Sequence, residues 1–202
     1  MVKLPSVKRI GLFGGSFDPV HLGHLLVAQA ACEEIQLDRL FFILAAQSPF
    51  KPASQPAAPA VRLRMLRLAL VGKANCEIDD QEIRRGGTSF TIDTVRDYKA
   101  RFPKCELFYL IGADHVPTLP KWREAEELAR LVQFVAIPRP DEAAAQSPPP
   151  FRLQNLAGWP LKVSSSEIRA RAQAGLPIGH LVPFGVDEAI RETRSYQEQN
   201  SP

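Results

Sequence analysis

The sequence predicts an α/β fold: a doubly wound parallel sheet with helices on both faces and a small helical region at the C-terminus. Three observations carry this. Apolar runs at 10–13, 40–45, 106–111 and 131–137 have the length and composition of buried strands. Amphipathic stretches at 22–36, 60–72, 91–101 and 123–130 alternate with them, and strand–helix alternation gives parallel neighbours covered by helices. The first run ends in Gly14-Gly15, a strand-to-helix turn of the kind at which open parallel sheets bind ligands.

Taken in order, strand 10–13 feeds the turn Gly14-Gly15-Ser16-Phe17-Asp18-Pro19, and Pro19 is placed near the first helical turn, where a missing N–H costs least. His21 and His24 then fall in that turn or the next, three residues apart and on one face with Ala28, Ala31, Cys32 and Ile35. Segment 48–59 follows the second strand with four prolines and reads as an irregular loop able to cover a site. Short strands are expected at 76–78 and 161–163. Segment 138–150, with its Pro-Pro-Pro run, reads as a surface excursion without chemistry. Residues 183–196 carry Phe184, Val186, Ala189, Ile190 and Thr193 at helical spacing and predict a packed terminal helix. The expected organisation is one domain, with 1–160 forming the sheet-bearing core and 161–202 a phosphate-binding motif and helices.

Composition narrows the function classes. At 202 residues and 45% hydrophobic content, the chain can bury one substantial core. A net charge of +3 suits a small anionic substrate and falls short of the basic stripe of a nucleic-acid binder. No apolar run approaches the roughly 20 residues of a membrane span, and the N-terminus lacks a signal-peptide core. Three cysteines without paired metal spacing point to a reducing, cytoplasmic setting.

Segment 14–24 carries the chemistry. A glycine turn before a helix aims backbone N–H groups and the positive end of the helix dipole at one spot, which suits phosphate. The alternative is that His21 and His24 are ordinary histidines at the edge of a core. Against it, charged histidines are disfavoured at a helix N-terminus, and Gly23 between them costs about 1 kcal/mol of helix propensity. A zinc site lacks a third ligand at recognisable spacing. Ser164-Ser165-Ser166 before Glu167-Ile168-Arg169 reads as a capped helix start, and three hydroxyls with an arginine suit a second anion site. For Ser89-Phe90-Thr91, helix capping and ligand recognition both remain open.

These motifs resemble those of a nucleotidyltransferase superfamily marked by H-x-G-H after a glycine turn, with a Rossmann-like fold. The stretch Phe17-Asp18-Pro19 before His21 resembles the branch that adenylylates pyridine mononucleotides. Three further segments agree in order: Arg84-Arg85-Gly86-Gly87-Thr88-Ser89-Phe90-Thr91-Ile92-Asp93-Thr94, then Leu110-Ile111-Gly112-Ala113-Asp114 followed by Trp122, then Val163-Ser164-Ser165-Ser166-Glu167-Ile168-Arg169. Together they are similar to the bacterial nicotinate-nucleotide adenylyltransferases. Two positions depart from that pattern: Phe90 replaces a tyrosine, and Phe50 a histidine beside Lys51.

The resemblance implies attack by the phosphate of nicotinate mononucleotide on the α-phosphorus of ATP, with release of pyrophosphate, in NAD biosynthesis. It gives His21 and His24 as catalytic residues. ATP would be held by Gly14, Gly15, Ser16, Phe17, His21, His24, Ser164, Ser165, Ser166 and Arg169. The acceptor would be held by Ser16, Lys51, Thr88, Ser89, Thr91, Asp114, Trp122 and Arg123, with the pyridine ring on Trp122 and its carboxylate near amides around Thr91 and Arg123. Mg2+ would enter with ATP, without a dedicated protein cage. The implied partners are these small molecules, with neither nucleic acid nor membrane, and a homo-oligomer is compatible. Competing expectations are adenylyl transfer to nicotinamide mononucleotide or phosphopantetheine, and a non-catalytic nucleotide-binding module. Threonine in place of His21 would mark the phosphopantetheine enzyme.

Overall fold

The computed structural model describes residues 7–47, 56–140 and 143–196. Strand β1 (Arg9–Gly15) is followed by helix α1 (Leu22–Glu34), β2 (Arg39–Leu44), α2 (Pro59–Ala69), β3 (Cys76–Asp79), the short α3 (Gln81–Arg85), α4 (Thr91–Arg101) and β4 (Glu106–Gly112). A 3-10 segment (Ala113–Lys121), α5 (Ala125–Leu131), β5 (Gln133–Ile137), β6 (Leu153–Asn155), α6 (Ser165–Gln173) and α7 (Phe184–Thr193) complete the order. All strand pairs are parallel, in the order β3-β2-β1-β4-β5-β6. The order reverses between β1 and β4, so the crevice above their carboxyl ends is the switch point at which such sheets bind ligands.

Each face of the sheet has its own core. On one face Phe13, Phe42, Leu44 and Leu110 pack with Ala28 and Ala31 of α1, Leu66 of α2 and Val186 and Ile190 of α7. On the other, Ile10, Leu12, Phe41 and Tyr109 pack with Ile92, Val95 and Tyr98 of α4 and Leu128 of α5. Residues alternate between faces along each strand, which is why continuous apolar runs were needed.

The sheet differs from the sequence expectation at its edges. The sixth strand is Leu153–Asn155, paired with Phe134–Ala136, and 161–163 is not a strand. A three-residue edge strand containing Gln154 and Asn155 carries no hydrophobic periodicity to read. Leu131 ends α5 instead of opening β5. The stretch after β4 winds as a 3-10 segment because Pro117 and Pro120 lack the N–H groups an α-helix needs. Pro19 lies two residues before the N-cap of α1, which is His21, and not in the first helical turn. Neither Ser89 nor Thr91 caps α4: its N-cap is Phe90, with no side-chain cap, while Ser89 Oγ accepts a hydrogen bond from Ala46 N at 3.0 Å.

Candidate active site

The carboxyl ends of β1, β2 and β4 open into a cavity of about 690 Å³, within the range of small-molecule sites. Its floor is the turn from β1 to α1. Gly14 is required there by close approach, since a Cβ would lie 2.6 Å from the hydroxyl of Tyr109. His21, at the N-cap, is 7% exposed, and its Nδ1 is buried without a hydrogen-bond partner among the described residues. His21 N donates to His24 Nδ1 at 3.2 Å. That bond makes Nδ1 of His24 the acceptor and leaves its proton on Nε2 as a donor. The two imidazoles stack at 3.7 Å, and Phe17 meets His24 edge-on at 5.1 Å.

Electrostatics keep this pair neutral. Burial, then the Arg139 guanidinium, holds His21 down to about 4. Burial, then His21, then Arg139, pushes His24 well below the usual histidine range. The unfolded chain protonates His21 near pH 6.5 and the folded chain only near pH 4, so between those values the unfolded state binds more protons, and the lowered His24 acts in the same direction. Folding stability should therefore fall as pH drops through that window, by on the order of 3 kcal/mol for His21. Urea midpoints from pH 7 to pH 4.5 check this: a His21→Gln, His24→Gln variant should lose less stability than the unaltered protein. Equal acid losses would mean that the histidines do not titrate as the geometry requires.

Helix α6 docks onto the same floor. Ser164 caps it, its Oγ accepting from Glu167 N at 3.2 Å, and Ser165 Oγ donates to Pro19 O at 2.9 Å. Arg169 donates to Asp18 O at 2.6 Å and to Ser166 Oγ at 3.2 Å. Asp18, buried, accepts from the Tyr196 hydroxyl at 2.8 Å and from Ala57 N at 3.3 Å. The C-terminal motif is thus fastened to the glycine turn, and Ser164, Ser165, Ser166 and Arg169 all line the cavity with Gly14–Phe17, His21 and His24.

At the other wall, Ser89, Thr91 and Trp122 line the cavity. Trp122 Nε1 donates to Thr118 Oγ1 at 3.0 Å, and its ring meets Tyr109 and Phe134 edge-on, so the indole is fixed from behind. Three expected acceptor residues stand elsewhere. Thr88 pairs with Gln47 in an isolated bridge. Arg123 lies 4.8 Å over the Phe90 ring and 3.8 Å from Asp93. Asp114 is outside the lining; its Oδ1 accepts from Arg139 Nε at 3.0 Å and NH2 at 2.9 Å. Lys51, Phe50 and the rest of 48–55 lie outside the described residues.

Arg139 is the main residue that sequence reasoning missed. It falls in the segment read as free of chemistry, yet it lines the cavity with Pro138 and Pro140 and its field reaches both histidines. Its position just past β5, at the carboxyl end of a parallel strand, was the signal available. Tyr109, Asp18 and Trp159 also line the cavity unannounced. Tyr109 could have been found from its two-residue spacing to Ile111, which places it on the far face of β4 from Leu110.

Comparison with known proteins gives the family. Residues 12–171 match the cytidylyltransferase-like family. A probable nicotinate-nucleotide adenylyltransferase of Opitutus terrae is 43% identical over 191 residues, covering 94% of this chain and 98% of its own. One of Shouchella clausii is 42% identical over 194 residues, covering 96% and 100%. Among solved structures, the Plasmodium falciparum nicotinic acid mononucleotide adenylyltransferase complexed with NaAD superposes with a TM-score of 0.76 at 19% identity, covering 94% of this chain and 97% of its own, and shares the fold. The glycine turn, the histidine pair and the serines that open α6 all fall within the matched span, and the chain belongs to the cytidylyltransferase-like nucleotidyltransferases, in the nicotinate-nucleotide adenylyltransferase branch.

Proposed function

We propose that this enzyme transfers the adenylyl group of ATP to nicotinate mononucleotide. A phosphate oxygen of the mononucleotide attacks the α-phosphorus, the bond to the bridging oxygen of the β-phosphate breaks, and pyrophosphate leaves with that electron pair. The nucleophile is already an anion, so the protein must align two polyanions and stabilise charge on the α-phosphate. The observation that carries the reading is the His21 N to His24 Nδ1 bond, which aims a neutral Nε2–H donor into the cavity at the sheet's switch point. His21 stands beside it, and the Gly14–Ser16 amides with the start of α1 complete the cradle.

Arg139 supplies fixed positive charge to the polyphosphate, with Asp114 holding its guanidinium in place. Ser164, Ser165, Ser166 and Arg169 take the rest of the phosphate tail. Magnesium enters as part of the ATP complex, carried mainly by phosphate oxygens and water. The partners are small molecules, and no described helix is long and apolar enough to cross a membrane. Free thiols at Cys32, Cys76 and Cys105 suit the cytoplasm.

For the acceptor, Trp122 offers an indole face to the pyridinium ring. The uncapped start of α4 beside Ser89 and Thr91 leaves N–H donors for the nicotinate carboxylate. A carboxamide would set its own NH2 against one of those donors. The test is pyrophosphate release with Mg2+, ATP and each mononucleotide: kcat/KM for the acid should exceed that for the amide by at least about tenfold, or roughly 1.4 kcal/mol. Preference for the amide would overturn the acceptor assignment and leave adenylyl transfer standing.

A further inference from the structure

We propose that Trp159 is the stacking platform for the base of the nucleoside triphosphate, and so a specificity-determining residue at the opposite end of the cavity from Trp122. The proposal rests on the adenylyl-transfer reading and adds to it a residue that no motif singled out.

Trp159 lines the cavity yet is 52% exposed. Among the described residues its indole makes neither a hydrogen bond nor a ring contact, unlike Trp122, which is anchored on both counts. A half-exposed tryptophan without such contacts lies on the cavity wall and contributes little to the core. The loop beneath it is nevertheless held firmly. Leu156 N bonds Ala136 O at 3.0 Å, extending the β5–β6 ladder. The two following amides, Ala157 N and Gly158 N, donate to the Glu34 carboxylate at 2.9 and 2.8 Å. Gly158, at φ +49, takes a left-handed turn beside α1, where a Cβ would be in ordinary contact with that of Ala30 at 3.4 Å. The chain is thus bonded to α1 through Glu34 and to β5 through Ala136, and presents the next side chain, Trp159, from that mount.

The surroundings favour a flat apolar ligand. Gly23, Val27 and Ala30, at helical spacing on α1, line the cavity with Pro160 and Leu161, and no charged side chain belongs to this group. Trp122 packs with the core on the α4–α5 side of the sheet, whereas the Trp159 loop is fastened to α1 on the other side. The histidines and the serine-capped α6 line the same cavity as both indoles. One polyanion-binding centre flanked by two indoles fits a reaction that joins two ring-bearing phosphates. The pyridine belongs at Trp122, behind which α4 offers its amides, and the purine belongs at Trp159.

Four measurements test this. Trp159→Ala should raise the KM for ATP about tenfold (about 1.4 kcal/mol), within the range for one base on one aromatic ring. It should leave kcat within about threefold and the KM for nicotinate mononucleotide within about twofold, and Trp159→Phe should recover most of the loss. Inhibition by inorganic tripolyphosphate, which has no base, should be the same in the unaltered and Trp159→Ala enzymes, while the preference for ATP over CTP should narrow in the variant. The chain contains two tryptophans, so Trp122→Phe leaves Trp159 as the sole indole, and its fluorescence should be quenched saturably by ATP. An unchanged KM for ATP in Trp159→Ala, an equal loss of tripolyphosphate inhibition, or Trp159 fluorescence indifferent to ATP would overturn the platform. Absence of pyrophosphate release from the unaltered enzyme would instead overturn the transfer reading, because the quenching experiment reports binding alone.

Discussion

His24→Ala should lower kcat by about 10²–10³-fold with a much smaller change in KM for either substrate. The imidazole is held by two constraints at once. Its Nδ1 is occupied by the amide of His21, and its ring is packed against Phe17 and Phe13. A neutral donor in a buried, oriented position acts on charge that develops at the α-phosphate, and loss of one such donor removes roughly 2.7–4 kcal/mol of transition-state stabilisation. Because burial, with His21 and Arg139 beside it, already keeps the ring unprotonated, the rate should not fall with the pH 6.5 titration of an ordinary histidine. Steady-state kinetics with kcat unchanged would remove His24 from the chemistry, and a large rise in KM with kcat intact would make it a binding residue only.

The largest expected effect on stability is at Arg62. This side chain is 1% exposed and donates from Nε to Ala57 O and from NH1 to Ser16 O and Ala45 O, each at 2.9 Å. Those carbonyls belong to the turn after β1, the turn after β2 and the chain entering α2, so one guanidinium fastens three segments under the cavity floor. Arg62→Met keeps much of the aliphatic volume but leaves these part-buried acceptors without the guanidinium and the buried Asp18 without its facing cation. The cost should be about 3–5 kcal/mol, the range for breaking a buried charged network on one side. For a domain of this size that corresponds to a loss of roughly 10 °C in Tm. Calorimetry showing a change below about 1 kcal/mol would mean that water replaces the guanidinium without penalty.

Sequence spacing was enough where one residue's role depends on its immediate neighbours. The apolar runs gave β1, β2, β4 and β5 because strands buried on both faces need unbroken hydrophobic sequence, and α7 followed from its period. Ser164 caps α6 as its position before Ser165-Ser166-Glu167 implied, since an N-cap bond spans only three residues. Gly14-Gly15 and the paired histidines were legible for the same reason. The errors lie where the signal is short or shared. Residues 153–155 are too few and too polar to show a period, and Leu161 looked like strand although it is a cavity wall.

What the sequence determined by itself is the alternating framework, the glycine turn before α1 and the order of the motifs along the chain, all fixed by local periodicity and backbone chemistry. What the tertiary structure decided is which charged residues enter the site and which remain outside. Arg62, Arg64 and Arg67 are indistinguishable as letters on one helix, yet Arg62 is buried and bonds three backbone carbonyls, while Arg64 pairs with Glu192 at the surface. The Arg123 guanidinium is stacked over Phe90, and Asp114 is occupied in orienting Arg139. Arg139 and Trp159, in stretches without a motif, line the cavity because parallel strands bring their carboxyl ends to one edge of the sheet. Burial and electrostatic partnership are set by contacts between residues far apart in the chain, and linear spacing carries no record of those distances.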